Sequence, residues 1–563
     1  MFLTGCRVDG SFAAGRYVRI DSKGGSGMYS TVVSASINGI ESRRVIVEAD
    51  VSDGLPTFSL VGFLASETRE AAERVRSALR NSGVRLSPQH ITVNLAPASF
   101  HKDGALFDLA IAIALMGGYG FFQQQALNGV LLLGELSLNG EIGPVRGVLE
   151  IVSHAKEYGC ETVIVPSENL AEGSVVREVN VLGAENLNQV IHFLAERTGA
   201  RVYPVEEAAY EPPLADPGPL RSMKIDIHAL REAQSESGGV DFSLIRGQAL
   251  MRRAAEIAVS GFHNLLMVGP PGAGKSLTAR CIASILPQTS LEEALEITKI
   301  HSIAGTLPKN TGLMTARPFR APHHNVTAAA LCGGGKEPSP GEISLAHRGI
   351  LYLDELPEFD RSVLEMLRGP LEDGSIRIAR VGGTYTFPAE FMLIASMNPC
   401  QCGYFPDRSR CTCTNAQVKR YLSRISMPLL DRIDMCVEAD RVKYEELTSD
   451  ACGESSSEIR QRVMQARAVQ QERYRGTRYR FNSDLDADAV RRYCEMEDGC
   501  REMMRDLYER MHLTARSYHR ILKTARTIAD LSGENLVRME HLAEAVSYRA
   551  VDRKYWEQAL RTA

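Results

Sequence analysis

Residues 265–283 read LLMVGPPGAGKSLTARCIA, and this stretch decides the fold. Four apolar residues, Leu265–Val268, make a buried-strand run. Gly269-x-x-x-x-Gly274-Lys275-Ser276 follows, and then a helical pattern, the strand–loop–helix context that a phosphate-binding loop requires. Glycines let peptide N–H groups curl round phosphates, and the N-terminus of the next helix adds the positive end of its dipole. Gly269, Pro270, Pro271, Gly272, Ala273, Gly274, Lys275, Ser276 and Leu277 therefore form the candidate nucleotide-binding loop. In such a loop the lysine reaches the β- and γ-phosphates and the serine hydroxyl ligates magnesium.

Downstream, GILYLDEL (349–356) delivers Asp354 and Glu355 at the end of an apolar strand. Asp354 is placed to hold the magnesium, directly or through water, and Glu355 to orient and deprotonate the attacking water. FMLIASMN (391–398) is a third strand and ends in Asn398, either a water-positioning residue or a turn former before Pro399. Arg424 and Arg432 in RYLSRISMPLLDRIDM (420–435) suit an arginine finger acting on a neighbouring subunit. Asp431 and Asp434 flank Arg432, so a local ion pair is the rival reading.

Around this unit the chain divides. Residues 1–27 are Gly/Ser-rich without periodicity and read as a disordered arm. Strand-like and helical runs alternate from Met28 to about residue 200, a first α/β domain. Residues 201–237 read as a linker with five prolines between Pro204 and Pro219. The nucleotide unit spans 238–445, and 455–563 is an Arg-rich helical segment. The chain has 563 residues, 44% of them hydrophobic and 24% charged, which excludes wholesale disorder. A formal net charge of −5 means that any nucleic-acid site is a local basic patch. The longest apolar run, Leu109–Phe122, is interrupted by glycines and shorter than the ~20 residues of a membrane span, so a cytoplasmic protein without a membrane partner is expected.

Together with the nucleotide loop, RPFRAPHHNVTAAALCGGG (317–335), PSPGEISLAHRGILYLDELPEF (338–359), ASMNPCQCGYF (395–405), YLSRISMPLLDRID (421–434) and TARSYHRILKTARTIADL (514–531) resemble the YifB/ComM family of magnesium-chelatase-like AAA+ ATPases. The resemblance runs from about Met28 to the C-terminus. It implies an α/β protein: a Lon-protease-like α/β domain, an AAA+ P-loop α/β domain with a helix-two insert, and an all-α C-terminal lid. It also implies that residues 1–27 are an upstream extension or a mis-assigned start, since members begin near the position of Met28. ATP and Mg2+ follow as cofactors and a homo-hexameric ring as the assembly. Carried over by position, Lys275 and Ser276 bind nucleotide and magnesium, and Asp354 and Glu355 are the Walker B pair. Asn398 is then sensor one, Arg432 the trans finger, Arg516 sensor two on the lid, and Arg424 a weaker trans candidate. ComM-type members resemble helicases that drive branch migration, so branched or single-stranded DNA is the expected partner. The rival is a chelatase-type motor remodelling a protein.

Laying HKDGALFDLAIAIAL (101–115) and GELSLNGEIGPVRGVLEI (134–151) on the Lon serine and lysine motifs puts Leu106 and Leu149 at the dyad positions. A Ser–Lys dyad needs a hydroxyl and an amine, so a non-proteolytic scaffold is expected. EDGSIRIARVGGTYTFP (372–388) reads as a β-hairpin turning at Gly382-Gly383, with Arg377 and Arg380 as candidate DNA contacts in the pore of a ring, and LCGGGKEP (331–338), with Lys336, as a second pore loop. The seven arginines between Ile459 and Arg480 make a second basic run, either a DNA-tracking surface or a solvated helix face. Cys400, Cys402, Cys411 and Cys413 fall within one loop and suit a structural Zn2+, the alternative being a reduced loop without metal.

Overall fold

The computed structural model describes residues 28–62, 64, 66–102, 104–197, 208–210, 217–227, 240–335, 338–380, 383–442, 444 and 453–557. The arm 1–27, most of the linker, Lys336 and Gly382 lie outside the described residues. The chain falls into two compact units, 1–225 with 308–312, and the remainder.

In the first unit β1 (Met28–Asn38) and β2 (Glu41–Ser52) form an antiparallel hairpin, Met28 opposite Val51. Gly39, at φ 70°, makes the tight turn that an L-side chain would strain. With β3 (Thr57–Val61), β4 (His90–Ala96), β5 (Val130–Leu132), β6 (Thr162–Pro166) and β7 (Asn180–Ala184), the sheet order is β7-β6-β5-β1-β2-β4-β3. Along β4, Ile91, Val93 and Leu95 turn inward at period two. Helix α1 (Ser66–Asn81) is amphipathic, whereas α2 (Asp108–Gly118) is apolar all round and buried.

The linker is not a plain spacer. Ala208–Tyr210 pairs antiparallel with Val84–Leu86, Arg221 bridges to Gly183, and Gln189 Nε2 donates to the Pro217 carbonyl, so the first unit runs on to Ile225. The linker's backbone N–H and C=O groups take up partners at sheet edges, which a count of prolines does not reveal.

The second unit is built on a five-stranded parallel sheet: β8 (Leu265–Val268), β9 (Phe319–Arg320), β10 (Ile350–Leu353), β13 (Met392–Met397) and β14 (Met435–Glu438), in the order β9-β10-β13-β8-β14. The hairpin of β11 (Ser375–Arg380) and β12 (Gly383–Pro388) stands apart from it. Because β10, β13 and β8 are neighbours, their carboxyl ends set Asp354, Asn398 and Gly269 side by side, where open α/β sheets bind ligands. Helix α3 (Ala249–Gly261) packs against α4 (Lys275–Ser284) and the C-terminal helices α7 (Ser456–Arg473) and α8 (Ala515–Leu531). Ile257, Ala258, Ile282, Val463, Ile521 and Ile528 share one buried core. Among the described residues no helix is long and apolar enough to cross a membrane.

Candidate active site

Gly272 and Gly274 have φ of 77° and 82°, and nothing lies within 4 Å of where either Cβ would be. That open, left-handed backbone has the form of a cradle in which loop N–H groups can receive an anion. Gly269 differs: a Cβ there would meet the Ala439 carbonyl at 2.3 Å, so glycine lets the loop leave β8 tightly against β14. Gly274 caps α4, and Lys275 opens it. Lys275 is 8% exposed. Its ammonium donates to the carbonyls of Gly269 (2.7 Å) and Pro270 (2.9 Å) and to Asn398 Oδ1 (3.1 Å). Burial pulls its pKa down to about 8, against the opposing charges of Asp354 and Glu355.

Ser276 Oγ donates to Asp354 Oδ2 at 2.9 Å. Ser396 Oγ donates to the other oxygen, Oδ1, and the Tyr352 hydroxyl donates to Ser396 at 3.1 Å. Burial pushes the Asp354 carboxyl up, but hydrogen bonds from Ser396, Ser276, Tyr352 and the Glu355 amide hold it below its ordinary value. A hydroxyl and an ionised carboxylate are hard oxygen donors and fit a magnesium ion. Ser396 and Tyr352 were not singled out from sequence, yet each lies two residues before a site residue on its own strand, Asn398 and Asp354. Strand period two puts such pairs on one face; that was the signal.

Glu355 is exposed and sits at φ 53°, which costs a non-glycine residue about 1–3 kcal/mol. The left-handed turn bends the chain off β10 into the short helix Leu356–Glu358 and leaves the carboxylate at the open end of the sheet. Strain retained beside a magnesium-type carboxylate points to use of the side chain.

The arginines are arranged otherwise. Arg432 is 6% exposed, donates to the carbonyls of Arg368 (3.1 Å) and Pro428 (2.6 Å), and pairs with Glu372 at 2.7 Å. Neither flanking aspartate is its ion-pair partner here; Asp434 accepts from the Asn264 amide. Arg516, at the start of α8, donates to the same Glu372, its side chain 48% exposed. Burial pushes Glu372 up, but these two arginines hold it below the usual carboxylate range. Arg424 is engaged with the Pro357 carbonyl and Glu358. The structure thus gathers Lys275, Ser276, Asp354 and Asn398 into one cluster, and Arg432 with Arg516 into another.

Family models for the magnesium chelatase subunit ChlI match residues 47–169 and 241–447, and that for its C-terminal part matches 453–549. The uncharacterized protein YifB of Salmonella typhimurium is 38% identical over 518 residues, 92% of this chain and 96% of its own. The competence protein ComM of Haemophilus influenzae is 38% identical over 526 residues, 93% of this chain and 97% of its own. The chain belongs to the YifB/ComM family. The 38 kDa magnesium-chelatase subunit of Cereibacter sphaeroides is more distant, 28% identical over 174 residues covering 28% of this chain and 52% of that one. YifB/ComM proteins are magnesium-chelatase-like, and this membership suggests an AAA+ ATPase using ATP and Mg2+.

Beyond the nucleotide site, this YifB/ComM chain brings its cysteine quartet together. Sγ–Sγ distances are 3.3 Å (Cys400–Cys402), 3.7 Å (Cys400–Cys411) and 3.5 Å (Cys402–Cys411), and with Cys413 the four lie within 4.8 Å of one another. A tetrahedral site with metal–sulfur bonds of ~2.3 Å has edges of about 3.8 Å, so the quartet can hold a metal ion. The candidate hairpin and the glycine loop 331–338 also meet: Arg377 and Arg380 are exposed on β11, and a Cβ on Gly334 would lie 3.3 Å from Arg380 Nη2.

The basic run of α7 and its continuation is not a free cationic face. Arg460 donates to the Ser284 carbonyl, Arg462 to Glu256 and Glu454, and Arg473 to Asp530, while Arg467 lies 3.7 Å above the Phe481 ring. Arg475 and Arg478 pair with Glu472 and Asp486. Acids distant in sequence, invisible in a local count, take up Arg462 and Arg473, while Arg480 stays exposed. In the first unit Leu149 is buried and its amide donates to Glu172, and Leu106 packs against the core, so neither dyad position carries a nucleophile or an amine. Lys102 is buried with its ammonium on the carbonyls of Pro97 and Phe100, and Ser99 is exposed.

Proposed function

We propose that this chain is a magnesium-dependent ATPase that works as a ring and moves DNA strands at branch points. The observation that carries the ATPase is the convergence of Lys275, Ser276, Asp354 and Asn398 at three adjacent strand ends. The loop amides and Lys275 hold the triphosphate; Ser276 and Asp354 would hold magnesium, which supplies charge neutralisation on the β- and γ-oxygens. Glu355 takes a proton from water as its oxygen bonds to the γ-phosphorus and the bond to the β-bridging oxygen breaks, giving ADP and phosphate. Arg432 completes a neighbour's site in trans, and Arg516 acts as sensor two from the lid, once Glu372 releases them. The zinc reading of the quartet belongs here too: four thiolates leave a metal no open position, which makes it structural.

Exposed Arg377 and Arg380 beside Gly334 support contact with a phosphate backbone, and the full-length likeness to a competence protein supports DNA over a chelatase-type protein partner. The test is ATPase rate with and without a four-way DNA junction, read alongside strand separation. Stimulation and branch migration are expected, lost on Arg377→Ala/Arg380→Ala; an unstimulated ATPase that separates no strands would leave the ATPase and remove the DNA reading.

The lowered pKa of Lys275 gives a pH prediction. The ammonium form binds phosphate, and it is already present below pH 8 in the free protein. Above that, ATP must bring a proton with it, because the bound phosphates raise the lysine pKa again. Equilibrium binding of a fluorescent ATP analogue should therefore be flat below pH 8 and weaken up to about tenfold per pH unit above it.

A further inference from the structure

We infer that the cysteine quartet is a brace for the phosphate loop: metal held by Cys400, Cys402, Cys411 and Cys413 keeps the nucleotide site in its binding shape. The inference rests on the zinc and ATPase readings above. Its first support is chain continuity, because Cys400 follows two residues after Asn398, whose Oδ1 accepts from Lys275. The second is direct packing. Gly403 has φ 85°, and a Cβ there would lie 2.5 Å from Pro271 Cδ, so the backbone between the ligands presses on the phosphate loop itself.

The third support is the far side of the quartet. Thr414 follows Cys413 and caps α6 (Asn415–Leu422) in a reciprocal box with Gln417. Beyond α6, Arg424 donates to the Pro357 carbonyl and to Glu358, three residues past Glu355. The quartet thus adjoins two strand-end elements of the site directly, and α6 with Arg424 links it to the third. Residues 401–414 have only turns of their own, with no helix or strand to fix them. Their fixed points are few: the Phe405 amide donates to Cys400 Sγ (3.4 Å), Arg408, stacked on Phe405, donates to the Cys413 carbonyl (2.9 Å), and Asp407 accepts from Ser409. A metal closing such a loop removes the conformational freedom that would let Gly403 leave Pro271.

The test uses the whole chain purified without chelator. Zinc is measured by elemental analysis and ATP affinity by a fluorescent analogue in excess magnesium, before and after zinc removal by a thiol-selective chelator and after zinc is returned with reductant. About one equivalent of zinc is expected, with a dissociation constant for ATP that rises at least about tenfold on removal and recovers on return. Gly403→Ala should weaken ATP about fivefold or more while keeping its zinc, which a purely local structural role of the metal would not produce; Ser409→Ala, on the exposed part of the loop, should change neither. Zinc present but ATP affinity unmoved by its removal and by Gly403→Ala would overturn the brace and leave the zinc reading. Less than about a tenth of an equivalent in protein that binds ATP fully would overturn both. A zinc-loaded protein that binds no nucleotide would overturn the ATPase reading and this one with it.

Discussion

Glu355→Gln should bind ATP with unchanged affinity and hydrolyse it at least about a hundredfold more slowly, the size of a lost general base. Three features of the site lead there. The carboxylate is exposed at the open end of the sheet, beside Asp354, whose two oxygens are already occupied by Ser276 and Ser396. In the proposed hydrolysis Asp354 therefore has no free role in proton transfer, and Glu355 is the adjacent acid left to take the proton. The strained φ of 53° belongs to the backbone and is kept by glutamine, so the variant should lose the proton acceptor without losing the turn. Affinity should hold because the proposed site assigns the triphosphate to Lys275 and the loop amides, not to Glu355. Steady-state phosphate release and equilibrium nucleotide binding check both halves. Equal rates for variant and parent would remove Glu355 as the base, and lost binding would mean that the turn had collapsed.

Much of this site was legible because its parts are short and its physics local. Gly269 to Ser276 could be read from spacing, and Asp354 and Asn398 from apolar strands that end in a polar residue. The parallel order β9-β10-β13-β8-β14, which makes those ends neighbours, is a long-range outcome that the spacing does not contain. Helix 66–81 and the hairpin strands are legible as periodicity and 108–118 as an apolar run, whereas Thr57–Val61 is not, since at the sheet edge it has no buried face: Phe58 and Leu60 are half-buried and Thr57, Ser59 and Val61 exposed. Charge was the least legible property. Arg462, Arg473 and Arg478 look like a basic run until Glu256, Asp530 and Asp486 are folded against them. Arg432 likewise has two aspartates nearby in sequence, but its carboxylate is Glu372, sixty residues earlier. Ion pairing across elements depends on packing that no local window holds.

Lys275→Met should abolish ATP binding, with a dissociation constant raised by about two orders of magnitude or more, while barely changing the stability of the free protein. The two halves of that expectation come from the same burial. In the free chain the ammonium is 8% exposed and held mainly by two carbonyls and Asn398 Oδ1; its lowered pKa records that desolvation disfavours the charge. Removing a cation that the protein already destabilises offsets the loss of its hydrogen bonds, and methionine fills the channel left by the lysine stem. The bound state has no such offset. The triphosphate meets the loop amides alone, and no other ammonium lies among Gly269–Leu277. Melting curves with and without ATP separate the two effects, since a ligand at a hundred times its dissociation constant adds about 2.7 kcal/mol to stability. The parent should show that upward shift and the variant none, from nearly the same starting temperature. A variant that still gains stability from ATP would place the triphosphate somewhere other than this loop.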